Sequence, residues 1–219
     1  MKYLPLLAVV LLPAFALAFS PTITEIDQPY EIVTVDFEPT TPAFYLGELQ
    51  NYPVMYEVTS EQAFTLSAVL LQPKSGAQPI DFSMIAIRKN DRGGGVSEVA
   101  RQRFDSAAWT TQKDAQTGLT FWRSPAFSNE VGAGTYRIEI STPKNTGKYL
   151  LQFGEGEDSD GYFASLSGVR RTHQFFGFSV VKMLTSSLVY YPLGILFLLF
   201  IIERTWRYRK LILKSSGNK

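Results

Sequence analysis

Short runs rich in Val, Ile, Tyr, Phe and Thr alternate with Pro, Gly, Asn and Asp through the middle of the chain. Within several runs, apolar and polar residues alternate with a period of two, which predicts strands with one buried and one solvated face. Strands of this kind form antiparallel sheets. The predicted strands are Tyr30–Phe37, Pro53–Val58, Phe64–Leu71, Ile80–Arg88, Val96–Phe104, Leu119–Arg123, Thr135–Ser141 and Lys148–Phe153.

The number and spacing of these strands predict a mainly β domain at residues 30–153. Many short strands separated by turn residues are typical of an antiparallel two-sheet β-sandwich, here with a jelly-roll-like layout. The segment Asn90–Gly95 contains three consecutive glycines, which in a phosphate-binding loop would open a helix. Here they precede a strand-like run, so we interpret the segment as a hairpin loop.

Two apolar segments flank this domain. Met1–Ala18 begins with Lys2, continues with an apolar stretch and ends in small residues, which predicts a secretory signal. Met183–Ile202 carries no charged residue and is long enough to cross about 30 Å of hydrocarbon as a helix. We therefore predict a signal at 1–18, a lead-in at 19–29 and one transmembrane helix at 183–202.

Charge is distributed unevenly along a chain whose formal net charge is +1. The tail at residues 203–219 holds six basic residues and one acid, whereas residues 19–182 hold fourteen basic and nineteen acidic residues. Basic residues after a span are expected on the cytoplasmic side. The predicted membrane-orienting residues are Arg204, Arg207, Arg209 and Lys210. The acidic domain argues against nucleic acid as a partner.

Residues 154–182 are predicted to contain an acidic linker followed by a membrane-proximal helix. The carboxylates and glycines of 154–161 favour a solvated linker, with a calcium loop as the alternative. The following segment, residues 162–182, places basic residues beside aromatics, which favours a helix lying in the headgroup region. The alternative is a helix that packs on the sandwich. His173 is expected at the interface or on the helix surface.

The chain offers few residues for catalysis. It has no cysteine, which excludes disulfides and thiol chemistry, and His173 is its single histidine. A Ser–His triad and a histidine metal site are therefore not expected, and no cofactor or metal is predicted. A carboxylate-based glycan hydrolase remains an alternative, because two acids need only meet in space. The candidate acids are Asp36, Glu38, Glu57, Asp81, Asp105 and Asp114.

Three aromatic residues are candidates for a ligand platform. Trp109, Trp122 and Tyr45 neighbour polar, loop-like segments, where an exposed ring can bind a sugar or a protein. The competing interpretation is structural, because most tryptophans of a small sandwich lie in the core or at its edge.

The last two predicted strands share a pattern of glycine and tyrosine. The first strand carries Gly134-Thr135-Tyr136, and the second carries Gly147-Lys148-Tyr149. This pair of strands resembles the closing hairpin of bacterial pre-peptidase C-terminal domains. The resemblance implies a jelly-roll-like accessory or binding domain rather than a catalytic one. The order of signal, sandwich, stalk, single span and short basic tail also resembles single-pass bacterial envelope proteins.

Together these observations predict a non-catalytic, membrane-anchored binding or adhesion module of the cell envelope. Its N-terminal domain is expected outside the cytoplasm and its C-terminus inside. The expected partners are the lipid bilayer and an envelope protein or glycan. The alternative is a structural subunit of a membrane complex that acts through its stalk and span.

Overall fold

The computed structural model describes residues 19–26, 28–36, 41–90, 95–154 and 161–216. Its strands are β1 (Thr22–Ile23), β2 (Ile32–Thr34), β3 (Ala43–Gln50), β4 (Val54–Ser60), β5 (Phe64–Pro73), β6 (Ser83–Lys89), β7 (Val96–Arg103), β8 (Thr110–Lys113), β9 (Thr120–Arg123), β10 (Phe127–Val131), β11 (Gly134–Ser141) and β12 (Thr146–Phe153). Its helices are α1 (Tyr162–Phe175), α2 (Ser187–Ser216) and two 3₁₀ helices, Ser106–Ala108 and Val180–Thr185.

The strands form two sheets. Sheet A has the order β1-β3-β12-β5-β9-β8, with β10 also paired to β5, and sheet B has the order β2-β4-β11-β6-β7. β9 and β10 pair with successive parts of β5. All pairings are antiparallel except β1 with β3 and β2 with β4, two short strands that pair parallel at sheet edges. The predicted two-sheet sandwich is confirmed.

The main core lies between the two sheets. From sheet B it receives Tyr136, Ile138 and Ile140, the alternating residues of β11, all of which are buried. From sheet A it receives every second residue of β5 and β12, among them Leu70 and Tyr149. The predicted inward-facing residues of these strands are therefore correct.

A second apolar layer lies on the outer face of sheet A, under α1. The intervening residues of β5 and β12, including Val69 and Leu150, pack there with Leu46 of β3 and Val169 of α1. Sheet A is thus covered on both faces, and its strands carry adjacent apolar residues instead of strict alternation. The membrane-proximal helix packs on the sandwich, which is the alternative that the sequence left open.

The structure differs from the predicted strands in several places. β3, β8 and β10 were not predicted, because their sequences carry polar residues or lack clear alternation. The predicted lead-in contains β1, and Phe19 is buried under α1. The predicted closing hairpin is not a hairpin: β11 pairs with β4 and β6 in sheet B, whereas β12 pairs with β3 and β5 in sheet A. The chain crosses between the sheets at 142–145.

The apolar helix begins later than predicted. Residues 180–185 form a 3₁₀ helix, and α2 runs without interruption from Ser187 to Ser216. Among the described residues, one helix is long and apolar enough to cross a membrane, at Ser187–Arg209. The predicted signal at 1–18, most of the acidic linker and the last three residues of the tail lie outside the described residues.

Candidate functional site

Many hydrogen bonds converge on the loop of the β8–β9 hairpin, residues 114–119, called the junction loop below. The Asp114 carboxylate accepts hydrogen bonds from the backbone N–H of Thr117 (2.8 Å) and from the Thr117 hydroxyl. Gly118 has a φ of +70°, which glycine adopts at little cost. The side chain of Asp114 and this glycine hold the loop in a tight turn.

This turn presents four consecutive carbonyl groups, those of residues 115–118, to the C-terminal part of the chain. All four accept hydrogen bonds. The Ser187 N–H donates to the Ala115 carbonyl (2.9 Å), and the Ser186 hydroxyl donates to the Gln116 carbonyl. His173 Nε2 donates to the Thr117 carbonyl (2.8 Å), and the Thr185 hydroxyl donates to the Gly118 carbonyl (3.1 Å).

The four donors come from the last turn of α1, the end of the second 3₁₀ helix and the first residue of α2. The junction loop therefore ties three C-terminal elements to the edge of sheet A. Thr117 and Gly118 are buried, and buried carbonyls need partners, so the bonds to these two residues are costly to break. The start of the apolar helix is held against the sandwich rather than connected to it by a free stalk.

α1 is fixed to the sandwich by its own contacts. A Cβ on Gly168 would lie 2.0 Å from the carbonyl oxygen of Phe19, so only glycine permits this approach. The Arg171 guanidinium donates to the carbonyl of Pro21 (2.7 Å). At the other end of α1, the Tyr162 hydroxyl donates to the carbonyl of Leu188 in α2 (2.6 Å), and burial raises the pKa of Tyr162.

His173 is buried, which corrects its expected position at the interface or on the helix surface. Because a carbonyl can only accept, the ring must carry a proton on Nε2 to bond Thr117. Nδ1 is also buried and has no hydrogen-bond partner in the part of the chain that the structure describes. The ring therefore connects α1 to the junction loop as a hydrogen-bond donor.

Two of the three predicted platform residues are in the core. Trp109 is 5% exposed, packs against Phe82 and Phe104, and donates its indole N–H to the Phe104 carbonyl at 3.2 Å. Tyr45 is 7% exposed and packs edge-on against Phe153. Neither ring offers a free face, so their predicted role in ligand binding is wrong. The sequence suggested exposed rings because polar residues neighbour them, but those polar residues face outward while the rings face the core.

Trp122 is half-buried at the edge of sheet A. The Lys74 ammonium lies 4.4 Å from the centre of its indole ring and 3.3 Å from the Thr111 hydroxyl on β8. The indole N–H of Trp122 is buried and has no hydrogen-bond acceptor among the described residues. Of the three predicted aromatic residues, only Trp122 keeps access to solvent.

The candidate acids have different surroundings. Asp114 caps the junction loop, and Glu57 forms an ion pair with Arg137 at 2.7 Å. Glu38 lies outside the described residues. Within the described part of the chain, no group of three or more histidine, cysteine or acidic side chains is placed to hold a metal ion. The predicted calcium alternative at 154–161 falls mostly on residues that are not described.

The predicted membrane-orienting residues lie on the same helix as the apolar segment. Arg207 pairs with Glu203 one turn earlier at 2.5 Å, and the Arg204 guanidinium lies 5.0 Å from the ring of Tyr208. Arg209 is exposed at the end of the candidate span, and the side chain of Lys210 is not described. The basic residues thus continue the helix beyond its apolar part.

Comparison with known proteins shows similarity at the level of fold. No protein-family model matches the chain, and no curated protein sequence matches it. The pre-peptidase C-terminal domain of a collagenase from Bacillus anthracis is similar over 59% of this chain and 98% of that chain, at 12% identity and a TM-score of 0.34. Pre-peptidase C-terminal domains are also the class of domain that the sequences of β11 and β12 resemble.

Two other solved structures are similar. A mitogen derived from Yersinia pseudotuberculosis matches 55% of this chain and 91% of that chain, at 16% identity and a TM-score of 0.35. CorA, a surface-associated copper-binding protein of Methylomicrobium album BG8, matches 71% of this chain and 91% of that chain, at 13% identity and a TM-score of 0.19. At these identities no functional property is transferred to this chain.

Proposed function

We propose that this chain is a single-pass, membrane-anchored module of the cell envelope that has no catalytic role and holds its sandwich outside the cytoplasm for a protein or glycan partner. The observation that carries the proposal is the binding of four consecutive carbonyls of the junction loop by residues of α1, the 3₁₀ helix and α2. Through these bonds the sandwich and the candidate span are one mechanical unit.

A rigid connection suits a binding module on a surface. Anchoring raises the effective concentration of the module at the membrane, so that weak sites become useful. A fixed orientation also lowers the entropy that binding would otherwise cost. The edge of sheet A with Trp122, Lys74 and Thr111 is the proposed contact for a partner, because the indole ring and the ammonium group are adjacent there.

The orientation proposed here can be tested with single cysteines, since the natural chain has none. Glu61→Cys lies in the exposed turn between β4 and β5, and Ser216→Cys lies at the end of α2. In intact spheroplasts, a membrane-impermeant maleimide is expected to label position 61, and to label position 216 only after lysis. The reverse pattern would overturn the proposed topology.

The binding role needs its own experiment. The full chain in lipid nanodiscs is tested against purified wall glycans and envelope proteins, beside Trp122→Ala and the exposed control Thr110→Ala. Saturable binding that Trp122→Ala weakens and Thr110→Ala preserves supports the proposal. Turnover of a glycan would instead support the carboxylate-based hydrolase.

The second candidate is a structural subunit of a membrane complex. It is favoured by the exposure of the apolar helix, of which only 6% is buried in the isolated chain. A photoreactive residue at Phe197, which is exposed, would then cross-link to a stoichiometric partner. Cross-linking at Phe197, together with no binding by the sandwich to any glycan or protein tested, favours the subunit.

A further inference from the structure

The 3₁₀ helix at Val180–Thr185 exposes apolar side chains beside the start of the candidate span. Val180 is 63% exposed, Val181 is 71% exposed and Leu184 is 53% exposed. These three residues, called the apolar collar below, have no polar neighbour on their own helix except Lys182 and Thr185. Exposed apolar groups clustered at one place are unusual on a domain surrounded by water and mark an interaction surface.

The collar is held in a defined position. Met183 packs against the apolar layer under α1, and the Thr185 hydroxyl is bonded to the carbonyl of Gly118. These two residues fix the inner side of the 3₁₀ helix to the sandwich. The collar residues consequently point away from the protein, and they do so within two turns of the first residue of α2.

The length of the apolar helix explains what covers the collar. Residues 187–202, the charge-free part of α2, rise about 24 Å at 1.5 Å per residue. The hydrocarbon core of a bilayer is about 30 Å thick, so this part of α2 is about 6 Å too short. Because the collar adjoins the upper end of α2, its apolar side chains would extend the apolar surface into the missing layer.

The remaining groups at this end fit a membrane surface. The Lys182 ammonium lies 3.9 Å from the centre of the Phe178 ring, where its long side chain can reach the headgroups while the collar enters the acyl boundary. Phe163 is 82% exposed and follows Tyr162, which is bonded to Leu188 in the first turn of α2. Aromatic and cationic side chains together are typical of an interfacial segment.

We propose that Val180, Val181 and Leu184 insert into the outer leaflet of the bilayer and seat the sandwich on the lipid surface. This inference rests on the proposed membrane anchoring and adds a second, lateral contact to it. The partner is lipid rather than protein, because the collar is continuous with the apolar surface of the candidate span.

The test uses the full chain reconstituted in vesicles of phosphatidylcholine and phosphatidylglycerol. Single cysteines at Val181 or Leu184 carry an environment-sensitive fluorophore, and the lipids carry nitroxides at the headgroup or along the acyl chain. Each collar probe is expected to be quenched by shallow acyl nitroxides, because the apolar face of an interfacial segment lies about 5–10 Å into the boundary between headgroups and acyl chains. The control is a probe at Glu61→Cys. Position 61 precedes the first residue of β5, about 30 Å along the strand from the end that lies nearer the collar. This probe is expected to keep its fluorescence.

A probe at Leu196, in the middle of the apolar helix, separates this inference from the anchoring itself. Quenching at 196 without quenching at 181 and 184 overturns lipid seating and leaves the anchor intact. An unquenched probe at 196 overturns the anchor as well. Self-quenching of collar probes that disappears on dilution with unlabelled chain, without quenching by lipid nitroxides, would show a second copy on the collar and overturn the proposal.

A matched pair of variants tests the apolar character of the collar. With the probe at Val180, Val181→Asp combined with Leu184→Asp is expected to abolish quenching by lipid nitroxides. Val181→Ile combined with Leu184→Ile is expected to preserve it. Equal quenching in both variants would overturn the proposal, because charged side chains do not enter the acyl region.

Discussion

The imidazole Nε2 of His173 lies 2.8 Å from the carbonyl oxygen of Thr117 and donates its proton to it. The two residues are 56 positions apart in the chain, and both are buried. This bond joins the last turn of α1 to the junction loop, so it is one of the contacts through which the sandwich is fixed to the membrane-proximal part of the chain.

Replacing His173 is therefore expected to loosen the junction. His173→Leu leaves the Thr117 carbonyl buried and unpaired, which costs about 1–3 kcal/mol. His173→Gln can still place an amide donor near the position of Nε2, and it is expected to recover part of that loss. Thermal unfolding of the full chain in detergent, followed by near-UV circular dichroism, compares the two variants. Equal stability of Leu and Gln would contradict the role of the donor.

Gly168 is expected to tolerate no side chain. In the interior of a helix, Gly→Ala usually stabilises by about 1 kcal/mol. At Gly168 the new methyl group would collide with the backbone of Phe19, and we expect a loss of about 1–3 kcal/mol as in other overpacked sites. Gly194→Ala is the matched control, because that helical glycine has open space around it.

The same unfolding assay measures both glycine variants. Protection of the amides of β1 in hydrogen exchange should fall in Gly168→Ala, since Phe19 and Pro21 precede that strand. A Gly168→Ala chain as stable as Gly194→Ala would show that α1 does not pack on residues 19–21 as described.

Alkaline pH is expected to destabilise the core through its tyrosines. Burial raises the pKa of Tyr56 to about 12, and burial also raises the pKa of Tyr149, whose hydroxyl lies 3.1 Å from that of Tyr56. The unfolded tyrosine releases its proton near pH 10, before the folded one does. The stabilisation is therefore complete below about pH 10 and is lost between about pH 10 and pH 12, by about 3 kcal/mol for Tyr56.

The measurement is the free energy of unfolding as a function of pH for Tyr56→Phe and for Tyr30→Phe, whose ring is exposed. The Tyr56→Phe curve should fall less steeply above pH 10, whereas Tyr30→Phe should follow the natural chain. Parallel curves for all three chains would argue against the raised pKa of Tyr56.

Trp109 and Trp122 are expected to respond differently to truncation. Trp109→Ala removes a buried indole from among Phe82 and Phe104, at a cost of about 3–5 kcal/mol. Trp122→Ala removes a half-buried ring and should cost clearly less. Urea unfolding in detergent measures the loss of unfolding free energy for each variant. A larger loss for Trp122→Ala than for Trp109→Ala would show that the ring at the edge of sheet A is packed more tightly than the ring near Phe82 and Phe104.

The basic residues after the apolar helix are expected to determine its orientation. Replacing Arg204, Arg207, Arg209 and Lys210 together with Gln removes the charges that favour the cytoplasmic side. The expected result is a population with the C-terminus exposed to protease outside the cell. Glu203→Gln is the control, because acids near a span contribute little to orientation. Unchanged topology in the quadruple variant would assign the orientation to another segment.

Part of the fold was predictable because its signals are local. Tyr136, Ile138 and Ile140 alternate with charged residues, and this spacing alone places them on one face of a strand. The length of the charge-free segment near the C-terminus predicts a span in the same way. β5 and β12 also carried a signal that was missed: the adjacent apolar residues Leu70–Leu71 and Leu150–Leu151 are typical of strands covered on both faces.

The candidate site was not predictable from the residues that form it. Its acceptors are backbone carbonyls of residues 115–118, and a backbone carbonyl is the same in every residue. The polar context of Trp109 and Tyr45 suggested exposure, although both rings are buried in the core. Which side of a strand is buried depends on the sheet that packs against it, and that partner lies far away in sequence.

The sequence by itself determined the β-rich domain, the apolar helix and the basic residues after it, because periodicity, length and charge act within a few residues. Only the tertiary structure decided that α1 covers sheet A, that β11 and β12 belong to different sheets, and that the apolar helix begins at Ser187 instead of Met183. These outcomes depend on contacts such as those of Gln116 with Ser186, 70 positions apart. Such contacts form only when the folded sheets bring distant segments together, so local sequence patterns do not predict them.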